Sequence, residues 1–295
     1  MCGICDVKIG FAKLESITEL DCCREIENIP KEMVNLVTLQ CSKSKVREIP
    51  KELVNLEELV CMMTDVEYIP KELVKLATLD CSQSRVSEIP KELVNLTFLN
   101  CSGCPDIKEI PKELDKLMLL YCNDCASIKG IPKEFVNLEM LHCGFCPNIA
   151  EIPKEFVKLD ELMCNGSMIT HIPSSLNNLR FIDCSMTNIK TIKFINLISL
   201  YCEECEYLID INCKNLDRIH CYNCPRLTFV PLSIITYTNM LEKIETNYQN
   251  YRKESCKNLV NIILEELIAR TWEPKRAMNW CWDEEEKKFM RDYIV

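Results

Sequence analysis

The chain has 295 residues, 47% of them apolar and 27% charged, with 22 cysteines and a formal charge of −10. That balance belongs to a globular protein and excludes a disordered or collagenous one. Residues 233–295 hold 10 Lys/Arg against 11 Asp/Glu, so the first 232 carry 25 against 34; with no basic stripe to neutralise phosphates and release counterions, neither nucleic acid nor an anionic membrane is expected as a partner.

The chain opens with MCGICDVKIGFAKLES, which has no charged stretch leading into an apolar one, and its most apolar late segment, LVNIILEELIA, is broken by Glu265 and Glu266. The expectation is a soluble, cytoplasmic protein. In that compartment thiols stay reduced, so the cysteines are not expected to form disulfides. They do fall repeatedly at the spacing of a metal-binding knuckle, from Cys2/Cys5 through Cys101/Cys104, Cys122/Cys125, Cys143/Cys146 and Cys202/Cys205 to Cys221/Cys224. A structural zinc site needs four ligands converging tetrahedrally. Pairs that recur in register would instead lie in a line, so no metal or other cofactor is expected, with Cys2/Cys5 the pair best placed for zinc.

From residue 30 onward an Ile-Pro recurs, its proline at 30, 50, 70, 90, 111, 132, 153 and 173, in steps of 20 or 21. A cysteine runs in phase at 41, 61, 81, 101, 122, 143, 164, 184, 202 and 221, preceded at −2 and −5 by an apolar residue. The unit is L-x-x-L-x-C-x-x-S/T/C. Side chains alternate along a strand, so the second Leu and the Cys must line one shared core. Three residues after the core cysteine, the short units place Ser44, Thr64, Ser84, Ser167 or Thr187, and the next apolar residue follows two positions later. The long ones place Cys104, Cys125, Cys146, Cys205 or Cys224, and the apolar residue follows three positions later. The choice is expected to track loop length, each side chain bonding backbone groups where the chain leaves the strand. In IPKELVNL, proline suits the first position of a tight turn, Leu53 and Leu56 face inward, and the Lys-Glu pairs from Lys31 and Glu32 to Lys154 and Glu155 form solvated rows.

This pattern resembles the leucine-rich repeat, with cysteine in the third leucine place, over roughly residues 14 to 231. The resemblance implies an α/β repeat solenoid: a horseshoe with a parallel concave sheet and short helical turns or extended chain on the convex side. About 11 repeats fill residues 1–232, a partial one at 1–10 among them. The period ends near residue 233; Leu241, Ile244, Tyr248 and Tyr251, then Leu259, Ile262, Ile263 and Leu267, have helical spacing, and Asp283 with Glu286 suits another helix start. Residues 233–295 are therefore expected to form a helical cap over the last repeat.

The residue between each core Leu and Cys should face the open concave surface. That column, Asp21, Gln40, Val60, Asp80, Asn100, Tyr121, His142, Met163, Asp183, Tyr201 and His220, is irregular beside a monotonous core. Tyr121 with His142, and Tyr201 with His220, fall on neighbouring strands, with Phe98, Phe181 and Tyr222 on flanking outward columns. Clustered aromatics are favoured anchors for protein partners. The expected role is that of a non-enzymatic interaction scaffold, its binding face formed by Phe98, Asn100, Tyr121, His142, Phe181, Tyr201, His220 and Tyr222, with no catalytic residue. The cysteine-bearing unit and the string from Trp272 to Glu285 further resemble leucine-rich repeat proteins of giant amoeba-infecting viruses, which implies a host protein as partner. The rival reading is enzymatic: Cys281-Trp282-Asp283 is similar to the Cys-x-Asp of bacterial ubiquitin-ligase effectors, which would make Cys281 a nucleophile, on a tail far shorter than that catalytic domain.

Overall fold

The computed structural model describes residues 14–221 and 223–227. Thirteen short strands run in chain order: β1 (Glu19–Asp21), β2 (Thr38–Gln40), β3 (Glu58–Val60), β4 (Thr78–Asp80), β5 (Phe98–Asn100), β6 (Leu119–Tyr121), β7 (Met140–His142), β8 (Glu161–Met163), β9 (Phe181–Asp183), β10 (Thr191–Ile192), β11 (Ser199–Tyr201), β12 (Asp210–Ile211) and β13 (Arg218–His220). Eleven of them form one parallel sheet in the order β1 to β9, then β11 and β13. The register is one-for-one throughout, so Leu39 lies opposite Leu59, Leu59 opposite Leu79, and Gln40 opposite Val60. This is the parallel-sheet solenoid that the period implies. The helical cap expected over residues 233–295 and the Cys2/Cys5 pair lie outside the described residues.

Each turn seals the same set of side chains. Between one strand and the next, Cys41, Val46, Ile49, Leu53, Leu56 and Leu59 are all buried, and their counterparts repeat the pattern along the array, with Phe135, Phe156 and Phe194 in the leucine place in three turns. Burying such a side chain contributes about 1.5–3 kcal/mol, so the stack is held mainly by these columns. Opposite the sheet the chain makes two tight turns rather than a helix: Leu53 N–H donates to Pro50 O at 3.2 Å, and Leu56 N–H to Leu53 O at 3.0 Å. No helix lies between β1 and β13.

Where the chain leaves each strand, the carbonyl of the core cysteine is buried and needs a donor. In the short units the hydroxyl three residues on supplies it within the same turn: Ser44 Oγ donates to Cys41 O at 2.5 Å and Thr64 Oγ1 to Cys61 O at 2.6 Å. In the long units the thiol reaches back one turn instead. Cys125 Sγ donates to Cys101 O and Cys104 Sγ to Cys81 O, both at 3.1 Å, and Cys146 Sγ to Cys122 O at 2.9 Å. The extra residue closes a further turn, as Ile128 N–H donates to Cys125 O. The alternation expected to follow loop length alone is therefore also a change of partner: hydroxyls staple one turn, thiols staple two.

A second feature repeats one residue earlier. Lys43, Met63, Gln83, Asp124, Phe145, Met186, Glu204 and Asn223, with Gly103 and Gly166, all have φ between +54° and +70°. This left-handed backbone costs a non-glycine residue about 1–2 kcal/mol. In eight of the ten, from Lys43 to Met186, it aims the N–H at the next turn, as Met63 N to Ser82 O at 2.9 Å and Phe145 N to Asn165 O at 2.7 Å, which offsets the cost.

The small sheet β10–β12 appears where the period loosens. Its bridging bond runs from Asn212 N–H to Ile192 O at 2.8 Å. In the regular turns that place is a proline, such as Pro50 or Pro70, which has no N–H to give. Replacing Ile-Pro by Ile192-Lys193 and Ile211-Asn212 is what lets these two turns pair on their second side.

Two predictions follow from this packing. Cys122→Ser places a hydroxyl in a sealed apolar column and should destabilise by about 1–3 kcal/mol, whereas Cys125→Ser, at a place where hydroxyls serve in other turns, should cost less. Equal shifts in thermal unfolding would show that the two sites are not distinguished in this way. At Gly166 an added Cβ would meet the Phe145 ring at 2.6 Å from Cδ1 and 2.8 Å from Cε1, on a backbone of φ +67°. Gly166→Ala should cost about 2 kcal/mol, falling to about 1 kcal/mol in a Phe145→Ala background where only the backbone penalty remains; denaturant titration of the four proteins reads the difference.

Candidate functional site on the concave sheet

Every strand of the large sheet but the last shows an inward residue buried between two more exposed ones, as in Phe98-Leu99-Asn100, and β13 keeps its inward Ile219 half-buried. Phe98, Asn100, Tyr121, His142, Phe181, Tyr201 and His220 therefore all sit on the outward face, as the alternation requires. Tyr222 lies outside the described residues, as do Cys281 and the rest of the Trp272–Glu285 string.

Parallel one-for-one pairing places Asn100 opposite Tyr121 and Tyr121 opposite His142. The side chains meet. Phe98 and Tyr121 lie 5.5 Å apart, centre to centre, at a tilt of 46°, and Tyr121 meets the His142 ring edge-on at 4.4 Å. His142 Nε2 is 2.7 Å from Glu161 Oε1, a bond that fixes the ring. Tyr121 Oη lies 3.8 Å from Met140 Sδ. Partial burial, then the charge of Glu161, pushes the Tyr121 phenol up, so it stays a neutral donor.

A second cluster has the same order of residue types. Phe181 and Tyr201 are 5.5 Å apart at 40°, Tyr201 stacks on His220 at 4.3 Å and 4°, and Glu203 Oε1 stands 3.8 Å from His220 Nδ1. The first cluster spans β5 to β7 and the second β9, β11 and β13, with β8 between them contributing Glu161 and Met163.

Asn100 has a further role. Its Oδ1 accepts from Ser102 N–H at 3.1 Å and its Nδ2 donates to Asp80 Oδ2 at 3.1 Å, while Asp80 Oδ1 accepts from Ser82 N–H at 2.9 Å and Asp183 Oδ1 from Ser185 N–H at 3.0 Å. These short polar side chains tie the end of their own strands. Asn100 is thus held in place as well as presented to solvent.

Sequence reasoning passed over Glu161 and Met140, which precede the core leucine rather than follow it, and Phe145, which is 47% exposed at the rim in left-handed backbone. The glycines Gly103 and Gly166 at the same place in their turns were the signal for that backbone.

The core thiols differ by position: hydrogen bonding to Cys81 lowers Cys104 to about 7, and bonding to Cys122 lowers Cys146. Burial pushes Cys41 up to about 12 and raises Cys143 and Cys164 as well, so they stay protonated at neutral pH. Among the described residues no group of three or more His, Cys, Asp and Glu is placed to hold a metal, and no helix is long and apolar enough to cross a membrane.

No protein-family model matches the sequence, and no curated protein does. Among solved structures, the fold is similar to that of the functional domain of InlJ from Listeria monocytogenes, which includes a cysteine ladder: TM-score 0.64 and 20% identity over 76% of this chain and 57% of that one. It is also similar to YopM, a leucine-rich effector protein from Yersinia pestis, with TM-score 0.59 and 19% identity over 70% of this chain and 60% of that one. The chain thus spans less than two thirds of the length of either. Likeness at this identity concerns architecture, and the architecture is the leucine-rich repeat solenoid.

Proposed function

We propose that this protein is a non-enzymatic scaffold that presents the outward face of its large sheet to a protein partner. The observation that carries the reading is the pair of aromatic–histidine clusters on that face, Phe98–Tyr121–His142 and Phe181–Tyr201–His220. Rigid aromatic rings held against one another lose little freedom on binding and bring large contact area, which is why they recur as interface anchors. The reading places the protein in the cytoplasm: among the described residues, 14 cysteines from Cys41 to Cys213 form no disulfide, which suits a reducing compartment. The resemblance to repeat proteins of giant viruses would make the partner a protein of the host.

The proposal extends to residues 233–295 as a cover for the last strand. Its support is that Ile219 and Cys221 are only partly buried, while their counterparts Leu200 and Cys202 are sealed. In a stacked array a terminal repeat needs such a cover.

Replacing Tyr121, Tyr201 and His220 together by Ala should leave the circular dichroism and the unfolding temperature nearly unchanged, since exposed side chains contribute little to stability. Each anchor lost from an interface costs about 2 kcal/mol or more, so a protein recovered from host cells by the wild type should be lost. Recovery at the same level by the triple variant removes this face from the proposal. Truncation after Pro231 should speed hydrogen exchange in β11 and β13 and leave β4 to β7 as protected as before; unchanged protection at β13 rules out the covering role.

A further inference from the structure

The outward face of the large sheet is selective in charge as well as in shape. Its eleven strands offer 22 outward positions, and six are carboxylates: Glu19, Asp21, Glu58, Asp80, Glu161 and Asp183. One is a cation, Arg218, on the last strand. The whole chain carries 35 Lys/Arg against 45 Asp/Glu, so a face sharing that balance would hold four or five cations for its six acids. Lys and Arg are instead placed on the turns, in the rows of Lys51, Lys71 and Lys91 and in exposed pairs such as Arg180 with Asp160.

Two of the carboxylates, on β8 and β9, stand between Tyr121 on β6 and Tyr201 on β11. Pairing of β8 with β9 sets Glu161 opposite Phe181 and Met163 opposite Asp183. Each already uses one oxygen, Glu161 Oε1 for His142 and Asp183 Oδ1 for Ser185 N–H. The other oxygens, Glu161 Oε2 and Asp183 Oδ2, have no hydrogen-bond partner among the described residues. Four strand spacings separate β6 from β11, about 19 Å at 4.8 Å each, or the reach of five to six residues of extended chain.

We propose that the partner is recognised through an extended segment carrying Lys or Arg, laid across β6 to β11. Its apolar side chains rest on Tyr121 and Tyr201, and a cationic one is seated between Glu161 and Asp183. A long cationic side chain suits this place because its stem covers Met163 and Phe181 while its head reaches the two carboxylates. The aromatic faces beside them attract the same charge. A neutral or acidic segment would leave both carboxylates partly covered and unpaired, which is unfavourable.

The proposal rests on the concave-face reading above, and the test separates the two. A random linear peptide library displayed on phage is selected against the full chain, and the selected peptides are measured by fluorescence polarisation against the wild type, Glu161→Gln/Asp183→Asn, and Tyr121→Ala/Tyr201→Ala. Both carboxylate replacements keep an oxygen acceptor for the bonds to His142 and Ser185, so the fold should persist, as circular dichroism would report. The expected result is enrichment of Lys or Arg, affinity reduced at least tenfold by the carboxylate double variant, and affinity that falls as salt is raised. Peptides that need Tyr121 and Tyr201 but show no Lys/Arg enrichment, or bind the carboxylate variant equally well, overturn the proposal and leave the concave-face reading standing. Peptides indifferent to the tyrosines overturn both, and a selection that yields no specific peptide overturns recognition of an extended segment.

Discussion

Each turn of this solenoid ends its strand by turning a backbone carbonyl, that of the core cysteine, into a dry interior, and an unsatisfied group there would cost as much as a lost hydrogen bond. From Cys41 to Cys202, at every core cysteine but Cys143, a side chain from a short list answers that demand. A hydroxyl reaches the carbonyl of its own turn, as Ser84 Oγ does at 2.6 Å from Cys81 O; a thiol, with its longer carbon–sulfur bond, reaches the carbonyl one turn back, as Cys205 Sγ does at 3.1 Å from Cys184 O. Loop length and the position of the next apolar residue accompany that choice, while the left-handed residue before it is common to both kinds of unit. Cys81 O and Cys184 O take both kinds of donor, where a short unit is followed by a long one.

Because these bonds and the buried columns keep strand against strand with no slip from β1 to β13, any residue placed on the outward face lies directly beside its counterpart in the next turn. A change of one letter on that face moves a side chain by no more than its own rotamer. The frame therefore leaves the outward columns free to vary, and variation there is cheap in stability, since those residues are not part of the core. That is how Phe98, Tyr121 and His142, separated by about twenty residues each in the chain, come to be within ring contact.

What was legible in the sequence follows the same division. The period, the buried Leu and Cys columns and the outward column with its adjacent Tyr–His pairs are local alternation repeated many times, and alternation is visible in letters. What was not legible is bonding between turns by residues that look merely polar. Asn55 Nδ2 donates to Val34 O at 2.8 Å and Lys75 Nζ to Asn55 Oδ1 at 2.7 Å, a ladder on the outer side built from the Asn and Lys of VNL and VKL, to which the repeat pattern assigned no role. The left-handed column was masked because Met63, Gln83 and Phe145 stand where only two glycines hint at the backbone. The β10–β12 pairing needed the absence of proline to be read as the presence of a donor.

The charge of the outward face is the consequence that composition alone hides. A mildly acidic chain gives no reason to expect six acids against one cation on a single face, because the repeated IPKEL places a lysine in nearly every turn. Those lysines are fixed by the period to the turns, and among the described residues no ion pair joins the Lys and Glu of one IPKEL to those of the next. Repeating the frame thus carries cations to the outside at each turn, while the acids on the sheet are added strand by strand. The field at the concave surface is set by the variable positions, and so is the choice of what can bind there.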